Sequence, residues 1–414
     1  MFKIRNIASG DIFSYYAQNN SEYPIRILKQ EIDTAAVIKP RYRFHILNSD
    51  ETVAYDIPEE DVVVGGNYTE NYQNGQRRNI SFTLFNYNKK YTPNINGLWA
   101  GTKISFEMGL EINDTIVWFP KGVYVINGIS STNGQGDTNV NIEAADKFSL
   151  LEGSAGVLET SYTIPVGSDI KKVIEDLLKT HTGDGSYLDG KSIFYHSAFK
   201  DKITQATISK EVGDTIGSMI LEIATQLSAE VFYDVEGHLN IIPINTVTED
   251  VDKPIIYHFD NELGGVENLN LSFDLNSVIN RIVVIGSTVN GEVCQAIAVN
   301  ANPASPLCYQ RIGYRTGSPI NDTNITSQIL AKERAEYELR QKLILKSSTS
   351  TNVRYNPLLL VNNLVTITNE FYHLNQERFL IQSVSCPIDY SGTMSLTISN
   401  MNNFSFVSGG VANV

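Results

Sequence analysis

The sequence predicts a mainly β protein of the α+β class, with two antiparallel β-barrel-like tube domains on either side of a mixed α/β middle region. Between residues 72 and 150, short segments alternate apolar with polar residues, which is the period of a strand with one buried face. Helical spacing of apolar residues first appears at about residue 168. A second group of alternating segments, between residues 269 and 398, encloses one further helical stretch. A chain of 414 residues with this pattern is expected to form several domains.

The first β domain is predicted from residue 36 to residue 150. Its apolar residues occupy alternate positions in four short segments: Ile80, Phe82 and Leu84; Ile104, Phe106 and Met108; Val123 and Val125; and Val140 and Ile142. Asn, Asp and Gly fill the gaps, where turns need positive φ, and Asn133–Asp137 is interpreted as a hairpin tip. The preceding residues 1–35 are predicted to be an N-terminal extension, with Ile12–Tyr16 and Tyr23–Leu28 as a first strand and a linker.

The middle domain, residues 151–265, is predicted to mix helices and strands. Ser168 and Asp169 can cap a helix whose apolar residues share one face, namely Ile170, Val173, Ile174, Leu177 and Leu178. A second helix is predicted to begin near Asp214 and Thr215, and its apolar face consists of Ile216, Ile220, Ile223 and Leu227. This helix leads into a predicted hairpin that turns at residues 235–237.

The second β domain is predicted from residue 266 to residue 414, with one helix and a C-terminal tail. Alternating apolar residues predict strands at 269–273, 278–286, 362–367, 378–384 and 394–398. The helix is predicted over about residues 324–343, where Glu336 with Arg340 and Glu338 with Lys342 would form favourable i, i+4 pairs.

The composition limits the classes of function. The formal net charge of −14 argues against a protein that grips nucleic acid through its phosphates. No apolar stretch approaches the ~20 residues of a membrane span, so no span is expected. Cys294 and Cys308 flank a short loop and could bridge, but together with Cys386 they are expected to be free thiols in a protein that assembles in a reducing cytoplasm.

No catalytic residue, metal site or cofactor is predicted, and the expected class is not an enzyme. The six histidines do not form a zinc-protease pattern, and no Cys/His cluster is present. The Gly-rich loop 183–190 lacks the bidentate Glu of a calcium loop and is interpreted as a turn. Cys386 with His373 is kept as an alternative, a cell-wall hydrolase of the cysteine type, because their spacing leaves that pair open.

Four short motifs follow one another in a characteristic order. They are Arg77-Arg78, Trp99-Ala100-Gly101-Thr102, Pro120-Lys121-Gly122-Val123-Tyr124 and Asp146-Lys147-Phe148-Ser149-Leu150. This order resembles the baseplate hub proteins of tailed bacteriophages and of related phage-tail-like particles, such as contractile injection machines and bacteriocins. The last helix, Asn356-Pro357 and the three strands after it look like the second barrel of these hubs. The resemblance covers about residues 70 to 400, and residues 1–35 match no part of it.

The resemblance implies a structural virion protein of the tail baseplate, assembled in the bacterial cytoplasm. It further implies a homotrimer that joins the sixfold tail tube to a threefold spike or tip. The implied partners are the tail tube or distal tail protein, the spike or tip protein and the tape measure protein, while DNA passes through without specific binding. The implied contact residues are Arg77, Arg78, Trp99 and Lys121.

A tail-tip adhesin that binds carbohydrate is the main alternative, because aromatic rings can stack on sugars. The candidate rings are Tyr15, Tyr16, Tyr91, Trp99, Trp118 and Tyr187. The sequence leaves open whether the particle is a phage, a bacteriocin or another injection device.

Overall fold

The computed structural model of the chain describes residues 25–35, 38–87, 89–93, 98–112, 115–134, 137–179, 188–227, 229–244, 253–260, 266, 268–270, 278–289, 291–323, 325–346 and 348–401. Strands predominate among these residues, so the predicted mainly β class is confirmed.

The described residues of the first part form one helix and seven strands: α1 (Ile25–Thr34), β1 (Pro40–Leu47), β2 (Val53–Ile57), β3 (Val62–Asn71), β4 (Arg78–Phe85), β5 (Lys103–Ile112), β6 (Thr115–Gly134) and β7 (Asp137–Asp146). The middle part contains α2 (Phe148–Glu152), β8 (Tyr162–Ile164), α3 (Ile170–Lys179), β9 (Phe194–Tyr195), β10 (Ile208–Lys210), α4 (Ile216–Leu227), β11 (Ala229–Tyr233) and β12 (Leu239–Pro243). The last part contains β13 (Ile255–Phe259), β14 (Arg281–Val289), β15 (Glu292–Val299), α5 (Tyr309–Ile312), β16 (Ile320–Asn321), α6 (Gln328–Lys346), β17 (Ser348–Arg354), β18 (Leu364–Asn369), β19 (Leu374–Pro387) and β20 (Thr393–Asn400).

One twelve-stranded sheet joins both predicted β domains. Its order is β13-β18-β19-β3-β4-β7-β6-β5-β1-β2, and β20 pairs with both β19 and β17. The link between the two regions is the antiparallel pairing of β19 with β3, from Ser383 opposite Asn71 to Pro387 opposite Asn67. The predicted barrel-like β regions are therefore parts of one sheet, and the strands that the structure describes form no closed barrel. Local alternation predicted the strands but not this pairing, because a period of two does not specify a strand's partner.

The described residues form three hydrophobic cores. The largest lies against the twelve-stranded sheet and combines side chains from both β regions, such as Phe44, Phe82 and Phe106 with Tyr355 and Val384. The second belongs to the middle part, where α3 and α4 pack with β11 and β12. The third lies between α6 and the sheet of β14, β15 and β16. The domain limits at residues 150 and 265 stay predictions.

The predicted helices of the middle part are confirmed. Asp169 Oδ1 accepts a hydrogen bond from the Lys172 backbone N–H at 2.9 Å, which caps α3 as its sequence predicts. Thr215 Oγ1 accepts from the Ser218 backbone N–H at 3.1 Å and caps α4 in the same way. The inward residues of both helices are buried, as their spacing requires: Ile170, Ile174, Leu177 and Leu178 in α3, and Ile216, Ile220 and Ile223 in α4.

Two local predictions are corrected. Residues 25–34 form helix α1, whereas Tyr23–Leu28 was interpreted as part of a first strand and linker. The spacing of Ile25, Leu28 and Ile32 fits one helical face, and Ile32 is buried. In α6, Glu336 and Glu338 pair with Lys332 and Arg334, at 3.9 and 2.9 Å, one turn before the partners that were predicted.

Other predicted elements are found near their expected positions. The β6–β7 hairpin turns after Gly134 opposite Asp137, and β11 with β12 forms the predicted hairpin of the middle part. The predicted strands at 278–286, 362–367, 378–384 and 394–398 correspond to β14, β18, β19 and β20.

Several predicted segments lie outside the described residues: residues 12–16, most of the predicted strand at 269–273 and most of the loop 183–190. All three cysteines are buried and free. In the described part, no helix combines the length and the hydropathy of a membrane span.

Candidate functional site

Arg77 and Arg78, predicted as contact residues, lie where β4 begins, and both side chains are buried. Arg78 Nη2 lies 2.5 Å from Glu70 Oε1, and Arg77 Nη2 lies 2.9 Å from Glu230 Oε2. The Arg77 guanidinium also stacks 3.7 Å above the centre of the Phe232 ring. Both guanidinium groups therefore bind within the chain. Their predicted contact with a neighbouring subunit stays a prediction, and their burial leaves little surface for one.

The carboxylate of Asp146 fixes the backbone beside this arginine pair. Its Oδ2 accepts hydrogen bonds from the backbone N–H groups of Arg77 and Arg78, at 2.7 and 2.9 Å. Its Oδ1 accepts from the backbone N–H of Phe148 at 3.0 Å, where α2 begins. The Arg77-Arg78 and Asp146-Lys147 motifs, which are far apart in the sequence, thus meet at one point of the structure.

Lys121 is also buried and also acts within the chain. Its Nζ donates a hydrogen bond to the Leu359 carbonyl oxygen at 3.0 Å, and burial lowers the pKa of Lys121 to about 8. Glu70 Oε2 accepts from the Val361 backbone N–H at 3.2 Å. Lys121 and Glu70 therefore attach the segment before β18 to strands from the first half of the chain. The predicted contact of Lys121 with another chain stays a prediction, as for the arginines.

A second buried group of charges joins the β1–β2 turn to the middle part. Lys147 Nζ lies 2.5 Å from Glu51 Oε1 and 2.8 Å from Asp189 Oδ1. Glu51 also pairs with Lys103 at 2.9 Å and with Lys191 at 2.8 Å. Burial alone would raise the pKa of Glu51, but the three lysines lower it to about 2. The carboxylate is therefore charged throughout the physiological range.

These two groups of buried charges form the ionic junction of the molecule. It consists of Glu51, Glu70, Arg77, Arg78, Lys121, Asp146, Lys147, Asp189 and Glu230. The sequence motifs contain its basic residues and Asp146, but four of its acids lie outside them: Glu51, Glu70, Asp189 and Glu230. Glu70 had a visible signal, because the alternation of β3 places it on the inward face beside Tyr68. Removing one member leaves a buried charge without its partner, which is strongly unfavourable.

The outer surface of the sheet has a different chemical character. Across β17, β20, β19, β3, β4 and β7, most of the described side chains that point away from the core are hydroxyls and amides, with Val63 of β3 and Phe85 of β4 as apolar exceptions. The hydroxyl and amide residues, which form the uncharged face, are Ser350, Asn352, Ser395, Thr397, Ser383, Ser385, Asn67, Thr69, Asn71, Asn79, Ser81, Thr83 and Asn141. Glu143 and Arg354 lie at its margins.

Strand register aligns the uncharged face into rows. In one row Asn352 pairs with Ser395, Ser395 with Ser385, Ser385 with Thr69, and Thr69 with Asn79, so five strands contribute in turn. Neighbouring side chains bond to one another, as Ser395 Oγ donates to Asn352 Oδ1 at 2.7 Å. The face offers neither cations for phosphate nor an apolar patch for a protein core. It is suited to a surface along which a polyanion passes with little adhesion.

The three described aromatic residues among those proposed for sugar stacking do not form a common exposed platform. Trp99 is 46% exposed, in the turn before β5. Tyr91 is buried and donates to Asp61 Oδ2 at 2.5 Å, and Trp118 lies beneath the Arg43 guanidinium at 4.3 Å. Tyr15, Tyr16 and Tyr187 lie outside the described residues. Of the four predicted contact residues, Trp99 alone is on the surface, and its role stays a prediction.

The thiol of Cys386 is poorly suited to hydrolysis. Cys386 and His373 lie at opposite ends of β19, roughly 40 Å apart at the usual rise of a strand. The thiol contacts the Tyr42 hydroxyl, with Sγ 4.0 Å from Oη, and burial raises the pKa of Cys386 to about 12. A thiol of that pKa is protonated at neutral pH. Among the described residues, no three His, Cys, Asp or Glu side chains are grouped to hold a metal ion.

Solved structures of phage tail proteins share this fold. The 43 kDa tail protein of prophage MuSo2 from Shewanella oneidensis is similar with a TM-score of 0.57 and 14% identity, over 88% of this chain and 99% of that one. The tail protein from Neisseria meningitidis MC58 has a TM-score of 0.57 and 10% identity over the same shares. The prophage tail protein gp18 from Listeria monocytogenes EGD-e has a TM-score of 0.52 and 12% identity, over 86% of this chain and 94% of that one.

No protein-family model matches the sequence, and no curated protein matches it. At identities of 10 to 14% the similarity to the tail proteins shows a common fold. The predicted resemblance to phage tail proteins is thus confirmed at the level of the fold.

Proposed function

We propose that the chain is a structural, non-enzymatic hub protein in the baseplate of a phage tail or phage-tail-like particle. The observation that carries this proposal is the extent of the structural similarity, which covers 88% of this chain and 99% of the Shewanella tail protein. A match over nearly the full length of both chains supports a common role for the whole molecule. Similarity limited to a single domain would support only a common building block.

The proposed mechanism is an adaptation between two symmetries. Three copies would each present two β regions, which gives six positions toward a sixfold tail tube, while the threefold side receives a spike or tip. Such a role needs the two β regions of one copy to keep a fixed orientation. The pairing of β19 with β3 and the ionic junction supply that rigidity, because they join both β regions and the middle part through buried contacts.

The uncharged face is proposed to line the passage through the hub. DNA binds proteins mainly by releasing counterions when Lys and Arg neutralise its phosphates. The uncharged face places no cation in its rows, and the chain as a whole carries a net charge of −14. DNA would therefore pass without specific binding. The further proposed partners are the tail tube or distal tail protein, the spike or tip protein and the tape measure protein, in a particle assembled in the bacterial cytoplasm.

Absolute quantification by mass spectrometry of gradient-purified tail particles tests this function. The expected result is three copies of the chain per particle, which is half the number of subunits in one sixfold tube ring. Gold labelling of a tagged chain should mark one end of the tail tube, and the tube protein, labelled along the whole length, serves as the control. Absence from particles, or many more copies along the tube, would contradict the hub role.

A further inference from the structure

One region of the chain differs from the rest in charge. Between Glu292 and Asp322 the sequence contains no Asp or Glu, but it contains Arg311 and Arg315. Residues 278–346 carry eight Lys and Arg against five Asp and Glu, whereas the remaining chain carries 24 against 41. This region forms the sheet of β14, β15 and β16 with α5 and α6, so a locally basic unit stands within an acidic protein.

Three arginines and two tyrosines of this unit lie together. The Arg281 backbone N–H donates to the Arg315 carbonyl oxygen at 3.1 Å, which places the two residues side by side. The Arg281 guanidinium lies 5.2 Å from the centre of the Tyr314 ring. That ring stacks on Tyr309 with centroids 4.7 Å apart and planes 4° from parallel. Tyr314 is 59% exposed, and Arg311 in α5 is exposed as well. We call these five residues the arginine–tyrosine patch.

The guanidinium groups of the patch lack a carboxylate partner. In the part of the chain that the structure describes, Arg281, Arg311 and Arg315 have no carboxylate within ion-pair distance. The Nε atoms of Arg281 and Arg315 also lack a hydrogen-bond partner, as do those of Arg78, Arg334 and Arg340. The other arginines with described side chains all have a partner. The three positive charges of the patch are therefore not neutralised by a carboxylate contact within the described part of the chain.

We propose that the arginine–tyrosine patch binds a carboxylate-bearing surface of a second copy of this chain. Arg and Tyr are the side chains most enriched at the centres of protein interfaces. The remainder of each copy, with 41 acidic residues against 24 basic ones, supplies the complementary charge.

The composition of the patch also determines the kind of contact. A patch with three arginines and no carboxylate repels an identical patch, so two copies cannot meet there through a twofold axis. The contact must join the patch of one copy to a different surface of the next. Contacts of this heterologous kind form closed rings or open filaments. The inference deepens the proposed function, and it rests on that function only for the number of copies in the ring.

Sedimentation velocity on the purified full-length chain tests the inference. The wild type is expected to self-associate at about 0.1 M salt and to dissociate at about 1 M, where the Debye length falls from about 10 Å to about 3 Å. The double variant Arg311→Glu/Arg315→Glu should weaken association about tenfold or more. The control Lys171→Glu/Lys332→Glu makes the same change of net charge at two exposed lysines and should associate like the wild type. Circular dichroism confirms folding, and Arg311→Glu alone replaces the double variant if that one does not fold.

Three results would each overturn the inference. The patch variant could associate like the wild type, the wild type could stay monomeric, or the control variant could weaken association as much as the patch variant. Retention of a short DNA duplex by the wild type and its loss in the patch variant would overturn it in favour of a nucleic acid ligand. The quantification of tail particles is independent of these results. Three copies per particle with a patch variant that still associates would contradict only this inference. Absence from particles with patch-dependent association would contradict only the hub role.

Discussion

Lys147 Nζ lies 2.5 Å from Glu51 Oε1, and this buried ion pair joins the β1–β2 turn to the start of α2. The same ammonium group bonds to Asp189 and to the Gly237 carbonyl oxygen, so it stands at the meeting point of the large sheet and the middle part. Because the Lys147 side chain is fully buried, its contribution to stability can be measured without interference from other chains.

Replacement of Lys147 by methionine should destabilise the isolated chain strongly. It would leave Glu51 and Asp189 buried with less compensating charge, at a cost of about 3 to 5 kcal/mol. Urea unfolding followed by circular dichroism measures the change. The control is Lys171→Met, which removes an exposed partner of Glu175 at 4.0 Å and should cost less than about 0.5 kcal/mol. Equal midpoints for the two variants would show that the ionic junction contributes little.

Replacement of Arg78 by alanine should lower the stability of the single chain. Glu70 would then be buried without its closest cation, and a loss of about 3 to 5 kcal/mol is expected in thermal or urea unfolding. Trp99→Ala, at a half-exposed position in a turn, should change stability by about 0.5 kcal/mol or less. If Arg78 acted mainly between subunits, its replacement would impair assembly while leaving the unfolding of the dilute chain unchanged.

The contribution of His45, which bonds to Asp56 of β2, to the free energy of unfolding should depend on pH. Hydrogen bonding to Glu107 and to Asp56 raises the pKa of His45, although burial and Arg43 oppose the shift. A raised pKa in the folded state stabilises the fold below the unfolded value of about 6.5, and that stabilisation is lost as the pH rises through the folded value. We expect a contribution below about 1 kcal/mol, since the pair is partly exposed. Unfolding free energies of wild type and His45→Gln should differ more at pH 6 than at pH 9, and a constant difference would contradict this.

Cations placed on the uncharged face should slow the release of DNA from particles. The variant Thr69→Lys/Asn79→Lys/Ser385→Lys introduces a row of three lysines along the strand register. Each new phosphate contact should make the binding constant for DNA depend more steeply on salt. In a plot of the logarithm of this constant against the logarithm of the salt concentration, the slope should change by about −0.9 per contact. Val166→Lys/Val212→Lys/Ile329→Lys adds the same charge at exposed positions elsewhere and is the control. Equal release by both variants would place the passage along another surface.

The sequence predicted the elements of the fold better than their assembly. Alternation identified Phe82 and Phe106 as inward residues, and helical spacing identified the buried face of α4, because both signals are local. The pairing of β19 with β3 has no local signal, since Ser385 and Thr69 are more than 300 residues apart. For this reason the sequence did not predict that both β regions share one sheet.

In the candidate site, likewise, the sequence predicted individual residues better than their contacts. The motifs drew attention to Arg77, Arg78 and Lys121, but their burial depends on Glu230, Glu70 and the Leu359 carbonyl, which other parts of the chain supply. An arginine pair has the same appearance in the sequence whether its charges face solvent or a buried carboxylate. The uncharged face was hidden likewise, because its rows appear only when six strands are placed in register.

The joining of β3 to β19 has a consequence for biosynthesis. While the ribosome is still translating the middle part, β3 already exists, but the strand that covers its edge has not been made. The large core likewise waits for Tyr355 and Val384. Contacts of such long sequence separation form slowly, and uncovered strand edges promote aggregation. The chain therefore completes its large sheet only after β19 has been translated, and until then nascent chains on crowded polysomes benefit from chaperones or low local concentration.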